Sequence, residues 1–148
     1  VLVRRVRTLG LRNLSGGSVA PGTGLTLLWG PNGAGKTSFL EGICLGLTGA
    51  SPRTRRQREA IAFGEPLARV EVDVAEELQT RVFLWSLSRS GERRHQLDGS
   101  AAVRDDARRR PALAIFVPDR LALVKGPPGE RRAHLDRFAA TLWPGRAE

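Results

Sequence analysis

Alternation and apolar runs divide the chain into a small set of elements. Residues 1–7 alternate loosely, with Leu2, Val3 and Val6 apolar, and predict a strand. After residues 11–14, the Gly/Ser/Pro-rich stretch 15–24 predicts a turn. Residues 25–29 are apolar apart from Thr26, the pattern of a short buried strand, with Trp29 expected to pack in or beside the core. A loop follows over residues 30–35. From Lys36 the period becomes helical, with Phe39, Leu40, Ile43, Cys44 and Leu47 recurring at i, i+1, i+4, i+5 and i+8. Cys44 falls on the apolar, core-facing side. Gly42 and Gly46 lie four apart on another face, where a neighbouring backbone can come close, and Gly49 predicts the helix stop.

Further along, Val70, Val72 and Val74 share one face of residues 69–74, and the mostly apolar residues 82–87 are expected to pair with them. Asp98-Gly99 is a hairpin turn signal. Residues 104–110 are charged and expected to be exposed, and residues 112–117 predict a second buried strand. Residues 118–128 read as irregular. A helix is expected from Gly129, with Leu135, Phe138, Ala139 and Leu142 on one face.

Composition narrows the class. At 148 residues, the length suits one domain of about 100–200 residues. With 41% hydrophobic and 26% charged residues, a globally disordered chain is excluded. No apolar run approaches the ~18 residues that span a bilayer, and no signal peptide is expected. The single cysteine, Cys44, excludes an intramolecular disulfide and a cysteine-based zinc site and fits a reducing cytoplasm. His95 and His134 have no ligand-spaced partners. The formal charge is +9, and 22 of the 24 basic residues are arginine, the exceptions being Lys36 and Lys125. Arginine forks onto phosphate, so the excess points to an anionic partner such as nucleic acid. An arginine-biased coding sequence gives the same composition, and charge alone does not separate the two.

The chemistry concentrates in Gly30-Pro31-Asn32-Gly33-Ala34-Gly35-Lys36-Thr37, which meets every fixed position of G-x-x-x-x-G-K-[ST] between an apolar run and a helical pattern. A triphosphate packs several negative charges together, so the loop must turn backbone N–H groups inward around them. Gly30, Gly33 and Gly35 permit the dihedrals this requires. Lys36 can reach the β- and γ-phosphates and the Thr37 hydroxyl can sit on Mg²⁺. Ser38 is a second hydroxyl within reach of the α-phosphate. The expectation is an ATP or GTP site with Mg²⁺, formed by Gly30, Pro31, Asn32, Gly33, Ala34, Gly35, Lys36, Thr37 and Ser38.

Two other segments imitate known motifs. Leu14-Ser15-Gly16-Gly17-Ser18 looks like an ABC signature loop, but it precedes the phosphate loop and does not open a helix, so a turn between strands is the expectation. Residues 112–119 resemble a Walker B strand ending in Asp119, although a proline intervenes and Arg120, not glutamate, follows. Were Asp119 a Walker B carboxylate, the chain would be a self-contained small P-loop NTPase. A non-catalytic interaction module is a further reading.

The order of these motifs resembles the RecF family of bacterial DNA replication and repair proteins. Leu11-Arg12-Asn13-Leu14 matches its early motif. Gly30 to Ser38, with Leu40 and Glu41, matches its phosphate-loop region, and Arg53-Thr54-Arg55 its basic stretch. Pro118, Leu121, Leu123, Val124, Gly126, Pro128, Arg131, Arg132, Leu135 and Asp136 match its later signature, from which Asp119, Arg120 and His134 depart. The resemblance implies an α/β fold of the ABC/SMC-like P-loop head type. Residues 1–148 would form its N-terminal nucleotide-binding lobe, with mixed and antiparallel sheet around the phosphate-loop helix. It implies ATP and Mg²⁺ as cofactors and an ATP-dependent homodimer. It also implies DNA binding at single-strand gaps and junctions, recombination mediator partners, a cytoplasmic place in DNA repair and the SOS response, and no membrane. Weak ATPase activity is implied for the full-length family and little or none for this stretch alone. Arg53, Arg55, Arg56 and Arg58, in a loop beside the phosphate-loop helix, are the candidate DNA contacts; a solvated charge run is the plainer reading.

Overall fold

The computed structural model describes residues 1–76, 79–102, 111, 113–115 and 127–142. The chain divides into two compact units, Val1–Ala102 and Val103–Glu148. In the first unit β1 (Leu2–Leu11) turns at Arg12-Asn13 into β2 (Leu14–Val19). The phosphate loop and α1 (Lys36–Thr48) follow, then a single 3-10 turn at Gln57–Ala60. Next come β3 (Leu67–Glu76), β4 (Gln79–Ser88), β5 (Arg93–Leu97) and β6 (Ser100–Ala101). The sheet runs β2-β1-β3-β4-β5-β6, every pair antiparallel.

Period-two patterning sets its two faces. Ala68, Val70, Val72 and Val74 of β3 are fully buried, beside Val6 of β1 and Phe83, Trp85 and Leu87 of β4. The register places Val70 opposite Trp85 and Val72 opposite both Val6 and Phe83. The other face is polar: Arg7 bridges Glu71 and Asp73 at 3.0 and 2.8 Å, and Arg69 pairs with Glu71. The Asp98-Gly99 turn forms as expected. Both residues take positive φ, 51° and 81°, the type I′ geometry that matches strand twist. The Asp98 carboxylate also accepts from the Val82 N–H and from Arg81.

Helix α1 lies across β3, β4 and β1. It stops at Gly49, whose φ of 72° closes the last turn with an N–H donated to the Leu45 carbonyl. Cys44 is buried in this layer, and burial, with the charge of Glu41 nearby, pushes its thiol up to about 11. Gly42 and Gly46 do face the sheet, but side chains meet them, not bare backbone. A Cβ at Gly46 would stand 2.5 Å from a Val72 methyl, and one at Gly42 2.9 Å from a Leu11 methyl.

Three expectations change. Residues 15–19 are not a turn. They are most of β2, because the free edge of β1 offers register partners such as Thr8 for Gly17 and Leu9 for Gly16. Pairing overrides the poor strand propensity of Ser-Gly-Gly-Ser, and the signature-like segment is therefore an edge strand and not a helix start. Residues 25–29 form no strand, and Leu25, Leu27 and Trp29 are 99%, 78% and 85% exposed. A strand buried on both faces needs neighbours on both sides, and among the described residues none pairs with this run; Trp29 accordingly does not pack in the core.

In the second unit α2 spans Pro128–Leu142, close to the expected start. Arg131 and Arg132 are exposed on it, as are Leu135 and Ala139 of the expected apolar face; the side chains of Phe138 and Leu142, the rest of that face, fall outside the described residues. The described residues 113–115 lie in no strand. Residues 104–110, Asp119, Arg120, Lys125 and half of the later signature, Pro118, Leu121, Leu123, Val124 and Gly126, fall outside the described residues. No helix among the described residues is long and apolar enough to cross a membrane.

The glycine layer gives a direct test. Gly46→Ala gains about 1 kcal/mol of helix propensity but drives a methyl into a stiff β-branched side chain, an overpacking cost of about 1–3 kcal/mol or more. Thermal unfolding should show Gly46→Ala less stable than the parent. Gly42→Ala should be the milder change, because the terminal methyl of Leu11 can rotate away.

Candidate phosphate-binding site

The loop ahead of α1 has the conformation its glycines allow. Gly30, Gly33 and Gly35 adopt φ of 145°, 84° and 94°, where a side chain would be strained. A Cβ at Gly35 would also strike Leu14 at 2.5 Å, so the hairpin tip and the loop are packed against each other. The Lys36 ammonium donates to the Gly30 and Pro31 carbonyls at 2.8 and 2.9 Å, which engages two of its three N–H donors among the described residues. A cavity of about 280 Å³ opens here, lined by Asn13, Asn32, Gly33, Gly35, Lys36, Thr37, Ser38 and Arg53. Thr37 is exposed at its wall and Ser38 is buried. Of the residues expected from the motif, six line one cavity; Gly30 and Pro31 take part through their carbonyls.

Three residues that the motif did not single out complete the site. Glu41, one helical turn beyond Thr37, is 1% exposed. Arg12 grips its carboxylate with two nitrogens, at 2.9 and 2.8 Å; the Ser51 hydroxyl donates at 2.6 Å and Arg53 at 3.1 Å. Burial raises the carboxyl's pKa, but the hydrogen bonds from Arg12 and Ser51 and the charges of Arg12 and Arg53 outweigh it, and the net position is below the ordinary value. The Arg12 guanidinium is pushed up, first by its hydrogen bonds to Glu41. Arg12 itself has φ of 54°, a left-handed conformation costing roughly 1–2 kcal/mol for a side-chain-bearing residue. It is held there by its N–H on the Ala60 carbonyl at 2.7 Å, by a guanidinium bond to the Glu59 carbonyl at 2.6 Å, and by Glu41. Asn13 follows; its amide donates to the Gly33 carbonyl and its oxygen accepts the Ser38 hydroxyl at 2.7 Å.

Glu41 did carry a signal in the sequence. It is a lone carboxylate inside an otherwise apolar helical run, and such a residue is seldom fully buried without a cationic partner. All four expected DNA contacts are exposed, and of them Arg53 also bonds Glu41 and lines the cavity. His95 lies elsewhere, its Nε2 on the Gly46 carbonyl at 2.9 Å. Among the described residues no group of His, Cys, Asp and Glu could hold a metal ion by itself. Mg²⁺ is usually held by one or two protein oxygens together with substrate phosphates, and the Thr37 hydroxyl fits that role.

Breaking the Glu41 pair should be costly. Glu41→Gln leaves Arg12 without its counter-charge and should destabilise the fold by about 3 kcal/mol near neutral pH. Because the carboxyl is held below its ordinary value, its contribution is complete above that value, near 4.5, and is lost as pH falls through the lower folded-state value. Thermal melts should therefore show the gap between parent and Glu41→Gln narrowing in acid.

Comparison with known proteins agrees with this architecture. Residues 5–109 match the family model described as an AAA domain. The chain is 33% identical over 142 residues to the DNA replication and repair protein RecF of Desulforudis audaxviator, covering 95% of this chain and 39% of that protein. It is 37% identical over 142 residues to RecF of Deinococcus radiodurans, covering 96% and 39%. It thus spans about two fifths of the length of these relatives. Among solved structures, the recombination mediator protein RecF with ATP, of the RecFOR pathway, superposes with a TM-score of 0.81 at 22% identity, covering 97% of this chain and 40% of that one. A structure from work on ATP-driven dimerization and DNA-stimulated activation of SMC ATPases gives 0.73 at 20% identity, covering 92% and 98%. The fold is therefore that of RecF and SMC ATPase heads, and the chain belongs to the AAA domain family, among relatives that are RecF proteins.

Proposed function

We propose that this chain binds ATP with Mg²⁺ through residues 30–38 as the nucleotide-binding part of a RecF-like DNA replication and repair protein. The carrying observation is the loop itself: three glycines at positive φ, Lys36 folded over two carbonyls, and a cavity bounded by Thr37 and Ser38. Gly33, Gly35 and the start of α1 supply backbone N–H groups to phosphate, Lys36 its remaining donor, and Thr37 an oxygen for Mg²⁺. Bound nucleotide would supply the negative charge that these groups are arranged to receive.

The wider reading follows the relatives. It includes ATP-dependent homodimerisation, DNA binding at single-strand gaps and junctions, recombination mediator partners and a cytoplasmic location. In support, RecF names the curated relatives and ATP is bound in the superposed RecF structure. On the DNA side, Arg55, Arg56 and Arg58 are exposed and follow closely in sequence on Arg53, which lines the cavity.

A fluorescent ATP analogue with Mg²⁺ tests the core of the proposal. The parent should bind and Lys36→Ala should abolish binding; equal affinity would overturn the assignment. DNA binding is tested by its salt dependence. Affinity should fall steeply with salt, and the triple change Arg55→Ala, Arg56→Ala, Arg58→Ala should flatten the log–log slope by about 0.9 for each duplex phosphate no longer neutralised. A salt-indifferent affinity would remove the DNA surface.

A further inference from the structure

The turn between β1 and β2 reaches the phosphate loop through one side chain. Asn13 spans two points of that loop, donating its amide N–H to the Gly33 carbonyl and accepting the Ser38 hydroxyl at 2.7 Å. These bonds also fix which way the carboxamide faces, because only its nitrogen can donate to a carbonyl. Two consequences follow. The Gly33–Ala34 peptide is planar and trans, so holding its C=O on Asn13 turns the Ala34 N–H the opposite way. That N–H points back into the loop, 3.2 Å from the Pro31 carbonyl. The hydroxyl proton of Ser38 is committed to Asn13, so the oxygen is held at the cavity wall in one rotamer.

Asn13 is itself held from outside the loop. Its neighbour Arg12 is locked in a left-handed conformation by Glu41, Glu59 and Ala60. Leu14, on the other side, fills the space a Cβ at Gly35 would need. The hairpin tip is therefore a rigid brace, and its one polar side chain facing the cavity is Asn13.

We propose that Asn13 is a positioning residue for nucleotide binding, setting the phosphate loop in its receiving shape by tying Gly33 to Ser38. The inference rests on the nucleotide reading of the site. It adds a residue outside the loop motif and far from it in sequence. Asn13 works through Ser38 and Gly33, and its removal frees both together.

The test is a double-mutant cycle on the 148-residue chain, read by titration with a fluorescent ATP analogue and Mg²⁺ well below the melting temperature. Circular dichroism checks that each variant is folded. Asn13→Ala should weaken binding about tenfold, the scale expected when two hydrogen bonds that order a site are removed. Ser38→Ala should also weaken it, and the double variant should bind no worse than the weaker single one. Asn13→Asp keeps the size and the acceptor but loses the donor to Gly33, and should bind at least as poorly as Asn13→Ala. Losses that multiply in the double variant, or parent-like binding by Asn13→Ala and Asn13→Asp, would overturn the proposal. Lys36→Ala separates the two levels. If it abolishes binding while Asn13→Ala does not weaken it, only the role of Asn13 falls; if it binds like the parent, the nucleotide site falls and this role with it.

Discussion

A carboxylate shut off from water organises this molecule. Glu41 cannot remain charged inside the protein unless cations and hydroxyls replace its lost hydration. Arg12, Arg53 and Ser51 do so, and they come from different parts of the chain: the β1–β2 turn for the first, the segment after α1 for the others. Satisfying one buried charge therefore ties the hairpin tip, the phosphate-loop helix and the segment after it to one another. The left-handed turn at Arg12 is tolerable because the side chain beyond it is fully engaged. Whatever strain the hairpin tip carries is offset there and is delivered as position, since Asn13 and Leu14 then meet the loop at defined points.

The sheet supplies the other half of the support. Its inner face is a continuous layer of Val6, Val70, Val72, Phe83 and Trp85, and α1 can settle onto it only because Gly42 and Gly46 leave room for the valine and leucine methyls. The helix is anchored at its far end by the left-handed Gly49, whose carbonyl accepts from both Gln57 and Arg93. With the helix seated and its end held, its first residues, Lys36 to Ser38, present to the cavity from a rigid element, which is what a phosphate site needs. The site is thus built where three things converge: a helix start, a hairpin tip and a buried ion-pair cluster.

Against this order stands the exposed run Leu25, Leu27 and Trp29. Its apolar character is that of a strand made for burial, yet it pairs with none of the described strands. Hydrophobicity along the chain states that a segment favours burial; it carries no information about which surface does the burying. The same holds in reverse for β2. Ser15, Gly16, Gly17 and Ser18 have no intrinsic preference for a strand and become one because β1 has hydrogen-bonding groups to offer.

Much was legible in one dimension. The strand pair at Val70–Val74 and residues 82–87, the helix from Lys36 to its glycine stop, the Asp98-Gly99 turn and the phosphate loop all rest on interactions between residues near in sequence, or on a period that a neighbour merely uses. Local physics determines these: dihedral freedom at glycine, alternation on a pleat, and recurrence every ~3.6 residues. Residues 12, 13, 41 and 53 stood in segments that the family resemblance marked, but their partners were not legible. Their roles depend on hydrogen bonds between groups far apart in sequence, 29 residues for Arg12 and Glu41 and 47 for Arg12 and Glu59, and no local rule specifies which distant carboxylate an arginine will find. Tertiary structure decided that Arg53 turns to Glu41 while its neighbours Arg55 and Arg56 stay in solvent. The reason is electrostatic: the charge of buried Glu41 holds the guanidinium that the chain brings beside it, although 41% of the Arg53 side chain stays exposed.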